Sequence, residues 1–419
     1  MRIAADHNIP DIETRCAALG EVRVFDARDG AGLRALLREA RVLLCRSTIR
    51  VDEELLGDTP VRFVATATAG TDHVDTAWLD ARGIAFASAA GSNARSVAEW
   101  WAAAMLELHA RARLRFPGAT VGIVGVGHVG SEVADVARAL GMTCLYNDPP
   151  RQRRGETPVP WSADDFRKME EILRCDVVTL HVPLTREGEF ATADFFGAGE
   201  FGRMRPGAVF VNAARGGVMD PAAVRAWAEA GNPVVLDVFP GEPRIDPALV
   251  RAADIATPHI AGHAWDGKLR GTVMVVEALR DWMASGPHRD AARSATGNAD
   301  PFVRSVSGPA RFALRRNQPE AENDGSARSE TGEGLVRVSF REQMYSQVLD
   351  TVRGVYDIRI DDAALRGAVE MDREEAAAEF ARLRTEYRVR REFASCEFDR
   401  AGLSADAAAM LCALGFTLR

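Results

Sequence analysis

The chain has 419 residues, 47% of them hydrophobic and 27% charged, with a formal net charge of -8. That length exceeds one core and implies two or three domains, and the acidic balance argues against nucleic acid as the main partner. No apolar run reaches the roughly 18–20 residues that cross a bilayer, and the six cysteines form no CxxC pair, so no membrane span, metal site or disulfide framework is expected.

The opening stretch "MRIAADHNIP" has no apolar signal-peptide core, and the expectation is a protein of the reducing cytoplasm. Over the first ninety residues "RIAAD", "EVRVF", "ARVLLCRS", "RFVATATAG" and "IAFASAA" read as strands. Between them "IETRCAALG", "GLRALLREA" and "TAWLDARG" read as helices, an alternation that implies a parallel sheet covered on both faces. A long helical stretch follows, "SNARSVAEWWAAAMLELHARAR", with Ser92 or Asn93 as its cap. A second alternating series then runs through "TVGIVGVGHVG", "TCLYND", "DVVTLHVP", "AVFVNAA", "PVVLDVF" and "DIATPHIAG". After "VMVVEALRDWMASG" the pattern dissolves into a polar linker over residues 284–334, and order returns as a small α+β unit.

The expected fold class is therefore α/β, with two doubly wound parallel-sheet domains, Rossmann-like or flavodoxin-like, facing each other across a cleft. Residues 1–95 with 272–283 form the substrate-binding lid, 96–271 the dinucleotide-binding domain and 335–419 the C-terminal domain. A cleft between two such units implies closure about a hinge, placed near residues 95 and 275.

The strand "TVGIV" runs into Gly125-x-Gly127-x-x-Gly130 and then a helical pattern. Strand, turn and helix in that order make a dinucleotide fingerprint: Gly125 for the tight turn, Gly127 for close approach of a pyrophosphate, Gly130 for packing. Asp148 ends the next strand, where an acid accepts from a ribose diol and repels a 2'-phosphate, so NAD is favoured over NADP. Arg151, Arg153 and Arg154 follow it and point the other way, but Asp148 comes first.

Ends of successive strands in the second series carry Arg215, Asp237, Glu242 and His259. Oxidising a secondary alcohol needs a base for the hydroxyl proton while hydride leaves the same carbon, and the imidazole of His259 suits that task. Glu242 would orient the ring, and Arg215 would grip a substrate carboxylate and polarise the reacting oxygen. In the first series Arg46, Ser47 and Thr48 end one strand as an anion-binding cluster, and "TATAGTDHVD" offers Thr68, Ala69 and Gly70 in a turn with free amides. In the tail, Arg359, Arg366 and the run "FARLRTEYRVRREF" read as solvated, exposed helix faces.

The motifs "GIVGVGHVG", "HVPLT", "NAARGG", "LDVFPGEP" and "TPHIAG" resemble those of the D-isomer-specific 2-hydroxyacid dehydrogenases. "ATATAGTDHVD", "YNDPPRQRRG", "HIAGHAWDGKLRGT" and the tail pieces "VYDIRIDDAALR" and "LCALGF" resemble a narrower branch acting on a four-carbon hydroxyacid phosphate. The resemblance implies Arg215 and Glu242 in the active site with His259 as proton donor and acceptor. It implies cofactor contacts at Asp148, Asp237 and Gly262, with His128, Val129, Val182 and Ala213 beside them, and substrate contacts at Ser47 and Thr68. It also implies a homodimer joined through the C-terminal domain. Two positions depart from the branch: His263 stands where a tyrosine usually meets substrate, and Val182 where a threonine is usual. Two other readings stay open, a dehydrogenase for another acid such as 3-phosphoglycerate and a non-catalytic NAD-binding sensor or corepressor.

Overall fold

The computed structural model describes residues 1–156, 166–286 and 340–419. The polar linker expected over residues 284–334 lies, beyond Gly286, outside the described residues. Strands β1 (Arg2–Asp6), β2 (Glu21–Phe25), β3 (Val42–Cys45), β4 (Phe63–Thr66) and β5 (Ala85–Ser88) form one parallel sheet in the order β2-β1-β3-β4-β5. β3 and β4 are buried along their whole length, which is why each reads as an unbroken apolar run. The helix Trp265–Ala284 returns to this sheet and packs Val275, Leu279 and Trp282 against Ile3, Val42 and Phe63. A late segment of the chain thus completes the first unit.

The second sheet contains β6 (Thr120–Val124), β7 (Thr143–Asn147), β8 (Val177–Leu180), β9 (Val209–Asn212), β10 (Val234–Leu236) and β11 (Ile255–Ala256). All pairs are parallel, in the order β11-β10-β9-β8-β6-β7, and Phe166 adds a single parallel bridge to Tyr146 outside β7. In each sheet the strand order reverses once, between β1 and β3 and between β6 and β8. Those reversals open crevices at the carboxyl ends of the strands, where such sheets bind ligands. The helix Ala94–Ala110 links the two units; its start, at Asn93, makes no side-chain capping bond. It buries Trp100 and Trp101 completely, and Trp100 Nε1 donates to Thr257 Oγ1 at 3.0 Å. No described helix is long and apolar enough to cross a membrane.

The C-terminal part is more helical than the expected α+β unit. Helices Phe340–Val355, Ile358–Ala368, Arg373–Thr385 and Ala405–Ala413 accompany one short parallel pair, β12 (Glu397–Phe398) with β13 (Thr417–Leu418). It shares cores with the second unit: Tyr345, Val348 and Val352 pack with Trp101, and Leu365 and Phe380 with Phe239.

A polar seam reinforces that contact. Ser96 Oγ donates to Glu392 at 2.7 Å, Arg270 to the same carboxylate at 2.6 Å, and Arg353 Nε to Glu107 at 2.6 Å. The expected exposed face of "FARLRTEYRVRREF" holds for Arg382, Arg388 and Arg391 but is corrected at Arg390. The helix ends at Thr385, so the following arginines continue on extended chain, and Arg390 bridges to Ala264 rather than facing water. Arg390 is only 3% exposed, and its Nη2 donates to Ser96 O at 2.9 Å and Ala261 O at 2.5 Å. Its guanidinium lies 4.5 Å from the Tyr356 ring centroid. A buried arginine is tolerated when carbonyls and a π-face replace its hydration. Methionine would remove both bonds and leave Ala261 O without this donor, while Ser96 O keeps its place in the helix, so Arg390→Met is expected to lower unfolding free energy by about 2 kcal/mol. A downward shift of the urea midpoint at unchanged slope measures this.

Of the two tail arginines read as solvated, Arg359 is exposed and binds its neighbour Asp357 at 2.7 Å, whereas Arg366 binds Asp362 and the carbonyls of Val250 and Ala253 and so serves the seam between the parts.

Candidate active site

β6 leads into Gly125 at φ +86°, a conformation that suits glycine and turns the chain sharply. A Cβ on Gly130 would overlap Gly125 O, so the third glycine lets the helix His128–Ala139 press on the turn. Nothing lies within 4 Å of a Cβ placed on Gly127, which leaves its backbone open to the cleft. That open, helix-starting turn fits a dinucleotide pyrophosphate, as the spacing predicts.

Asp148 occupies the end of β7 but is used structurally too. Its Oδ2 accepts from Val126 N at 2.9 Å and its Oδ1 from Arg151 N at 3.1 Å, capping the helix Pro149–Arg153. Each carboxylate oxygen has a further lone pair for a ribose hydroxyl. The arginines that could favour a 2'-phosphate are committed elsewhere. Arg151 bonds Val126 O and pairs with Glu156, Arg153 makes a double ion pair with Glu189, and Arg154 pairs with Glu156.

The cleft between the two sheets has a volume of about 620 Å³. Its walls include Gly127, His128, Val129, Val182, Ala213, Arg215, Asp237, His259, Gly262 and His263 from the second unit. From the first unit come Arg46, Ser47, Thr68, Ala69 and Gly70. Gly125, Gly130, Asp148 and Glu242 are not on its surface; the glycines shape the turn from behind, and Glu242 backs His259.

His259 follows β11 with φ +56°, a left-handed conformation that a non-glycine residue keeps only when its surroundings enforce it. Asp237 does the enforcing. It is 1% exposed, and Oδ1 accepts from Thr257 Oγ1 at 2.6 Å and Ile260 N at 2.8 Å, while Oδ2 accepts from Ala261 N at 3.0 Å. Asp237 thus pins both sides of the histidine loop, and Arg390 holds the same loop through Ala261 O.

Glu242 Oε1 accepts from Phe239 N at 2.9 Å, and Oε2 meets His259 Nδ1 at 2.7 Å. Burial opposes the Glu242 charge, but His259, the Phe239 amide and Arg384 together hold the carboxyl below its ordinary range. An ionised carboxylate on Nδ1 makes that nitrogen the donor, which leaves Nε2 as the nitrogen available to a ligand.

Arg215 follows β9. Asn212 Nδ2 donates to Arg215 O at 2.9 Å and Asn212 Oδ1 accepts from Ala214 N at 3.0 Å, fixing the turn. A Cβ on Gly216 would overlap the Phe239 backbone, so the turn sits directly on the exit of β10. The guanidinium crosses the cleft and meets Asp72 of the first unit, with Nε and Nη2 at 3.0 and 2.7 Å from one oxygen. The anion expected opposite Arg215 was a substrate carboxylate; the structure supplies a carboxylate of the protein's own.

Around His263 in the same cleft lies a cluster of cations that the sequence signals only in part. Arg46 joins Lys268, in the first turn of the helix Trp265–Ala284, and Arg384, from the C-terminal helix Arg373–Thr385. Arg46 Nη1, Arg384 Nε and His263 Nδ1 are buried without a hydrogen-bond partner. Among the described residues the carboxylate nearest Arg384 is Glu242, 3.7 Å away and already bound to His259. Burial and the charges of Lys268, Arg384 and Arg46 hold the His263 ring far below its ordinary range, so it is neutral. Its edge meets Tyr387 at a centroid distance of 5.8 Å. Arg384 is thus a second correction to the exposed-face reading, since the last turn of its helix abuts the cleft.

Residues 87–261 match the family described as D-isomer specific 2-hydroxyacid dehydrogenase, NAD binding domain, and residues 334–415 match a domain of unknown function, DUF3410. The erythronate-4-phosphate dehydrogenase of Marinobacter nauticus is 38% identical over 423 residues, covering 100% of both chains. That of Hahella chejuensis is 34% identical over 422 residues, covering 100% of this chain and 99% of its own. The crystal structure of the TT0316 protein of Thermus thermophilus aligns with a TM-score of 0.56 at 27% identity, over 68% of this chain and 97% of its own. Full-length similarity at this level, with the matched NAD-binding domain, the two parallel sheets and the C-terminal match, establishes that the chain belongs to the erythronate-4-phosphate dehydrogenase family of D-isomer-specific 2-hydroxyacid dehydrogenases.

Proposed function

We propose that the chain oxidises the 2-hydroxyl of 4-phospho-D-erythronate to 2-oxo-3-hydroxy-4-phosphobutanoate, a step in pyridoxine synthesis. The observation that carries this reading is the 2.7 Å pairing of His259 with Glu242 in a cleft that Arg215 also enters, beside the open turn at Gly127. His259 Nε2 takes the proton of the 2-hydroxyl, and Glu242 stabilises the imidazolium that forms. Arg215 holds the substrate carboxylate and draws charge from the oxygen as it becomes a carbonyl. Bound NAD contributes the acceptor for the hydride leaving the same carbon.

The phosphate end fits the cation cluster around His263. Arg46, Lys268 and Arg384 gather around a neutral imidazole, with Asp6 acting on Arg46 and Glu242 on Arg384, and a dianion among the three offsets the charge that these carboxylates leave. Ser47 and Thr68 line the path between the two anionic ends and suit the intervening hydroxyls. His263, with one unpartnered ring nitrogen, takes the place of the usual tyrosine as a phosphate or hydroxyl ligand.

Two further properties belong to this reading. All six cysteines are free, which suits the cytoplasm. A homodimer joined through the C-terminal part is the second, carried by the family resemblance of the tail.

The test is NADH-linked turnover on 4-phospho-D-erythronate, 3-phosphoglycerate, D-erythronate and D-lactate. The phosphorylated four-carbon acid is expected to exceed D-erythronate by about 1,000-fold in kcat/KM, because only the phosphate engages Arg46, Lys268 and Arg384 together. Arg384→Ala is expected to cut kcat/KM for the phosphorylated acid about 100-fold and for D-erythronate by less than about threefold. Turnover confined to unphosphorylated acids would remove the proposal. NAD binding without any turnover would favour a sensor.

A further inference from the structure

We propose that Asp72 is a positioning residue for Arg215: it holds one edge of the guanidinium from across the cleft, so that the other edge faces the substrate carboxylate. This rests on the reading of Arg215 as the carboxylate ligand.

The geometry of the guanidinium carries the argument. An arginine has five N–H donors arranged in two forked edges. Asp72 Oδ2 accepts from Nε at 3.0 Å and from Nη2 at 2.7 Å, which occupies the side edge. Nη1 donates to Ala214 O at 2.7 Å. Three donors are thereby fixed, and one hydrogen on each of Nη1 and Nη2 remains. Those two form the end fork, whose spacing matches both oxygens of a carboxylate.

A second observation places the same side chain. A Cβ on Gly70 would overlap Arg215 Nη2, so the guanidinium lies in the space that the missing side chain of Gly70 leaves. Glycine at position 70 and aspartate at position 72 thus form, in one turn of the first unit, a seat for an arginine of the second. Two protein segments far apart in sequence define the direction of the fork.

Stability does not account for the pair. The Asp72 side chain is 54% exposed, and ion pairs in that setting contribute at most about 1 kcal/mol. The turn has its own supports: Val74 N donates to Thr71 O, Val51 N donates to His73 O, and Asp75 caps the helix Thr76–Ala81. Removing Asp72 therefore leaves the turn folded and Arg215 unaimed. A rotatable arginine still attracts an anion but must be ordered each time the substrate binds, and that cost appears in KM.

The alternative is that Asp72 competes with the substrate for Arg215, and the two ideas predict opposite signs. Asp72→Ala and Asp72→Asn are compared with the parent in steady-state oxidation and in binding of oxamate to the NADH-loaded protein, followed by NADH fluorescence. Positioning predicts that Asp72→Ala raises KM and the oxamate Kd about tenfold while kcat falls less than about threefold. Asp72→Asn keeps an acceptor for the side edge and recovers more than half of that loss on a logarithmic scale. In an Arg215→Ala background, Asp72→Ala has no further effect, because the residue acts through the arginine. Tighter substrate or oxamate binding in Asp72→Ala would overturn the proposal, as would an undiminished effect in the Arg215→Ala background. Oxamate carries no phosphate, so its titration reads the carboxylate seat even if 4-phospho-D-erythronate proves not to be the substrate.

Discussion

His259→Ala is expected to lower kcat about 1,000-fold, the middle of the range for removing a positioned general base, and to leave NAD affinity unchanged. The reason lies in which atoms the imidazole touches. Its Nδ1 is committed to Glu242 at 2.7 Å, so in the proposed reaction only Nε2 is left to meet the substrate, and the backbone that holds the ring is fixed by Asp237. Alanine removes the ring while those bonds to Thr257, Ile260 and Ala261 persist, and the loop keeps its shape. The glycine turn at Gly125–Gly130 lies on a different strand, β6, and is untouched. Glu242→Gln separates orientation from charge: the amide can still accept from Nδ1, yet it no longer compensates the imidazolium, and kcat falls about 100-fold. Rapid-quench or NADH-burst measurements distinguish loss of chemistry from slow product release. Equal, small effects of both substitutions would mean that another group moves the proton.

How far the sequence led depended on whether a feature was local. Buried parallel strands are continuous apolar runs that stop at small or polar residues, so the ends of β3, β4, β9 and β11 could be read directly. With them came Arg46, Thr68, Arg215 and His259. The fingerprint after β6 was readable for the same reason: each glycine answers a constraint within a few residues of itself. Asp148 was only partly readable, since an acid after β7 signals a ribose ligand but equally caps the next helix, and here it caps.

What the sequence concealed is long-range. Asp72 and Arg215 are 143 residues apart and meet only because two sheets face each other. Arg384 and Arg390 sit in a run of charge whose pattern suggests a solvated helix. Their roles depend on where the C-terminal helices dock and on the helix ending at Thr385. Asn212 and Asp237 had a signal, a polar residue at the end of a buried strand, but nothing local tells a ligand-binding group from one that holds a loop.

Arg215→Ala is expected to lower kcat/KM about 10,000-fold, a larger loss than any other single substitution at the carboxylate end. Two contributions combine. Losing a charge-assisted fork to the substrate carboxylate raises KM about 30-fold, and losing the positive charge beside the forming carbonyl lowers kcat about 300-fold. Arg215→Lys tests whether charge or shape dominates. An ammonium supplies the charge at one point but cannot satisfy Asp72 and the substrate on separate edges, so it must choose. Asp72 is fixed in the protein and wins that choice, and the lysine variant is therefore expected to recover kcat to within about tenfold of the parent while KM stays at least about 20-fold raised. The partition between kcat and KM is the measurement. A lysine variant that restored KM instead would show that the carboxylate is held by charge alone, and the two-edge geometry built around Gly70, Asp72 and Ala214 would then have no bearing on binding.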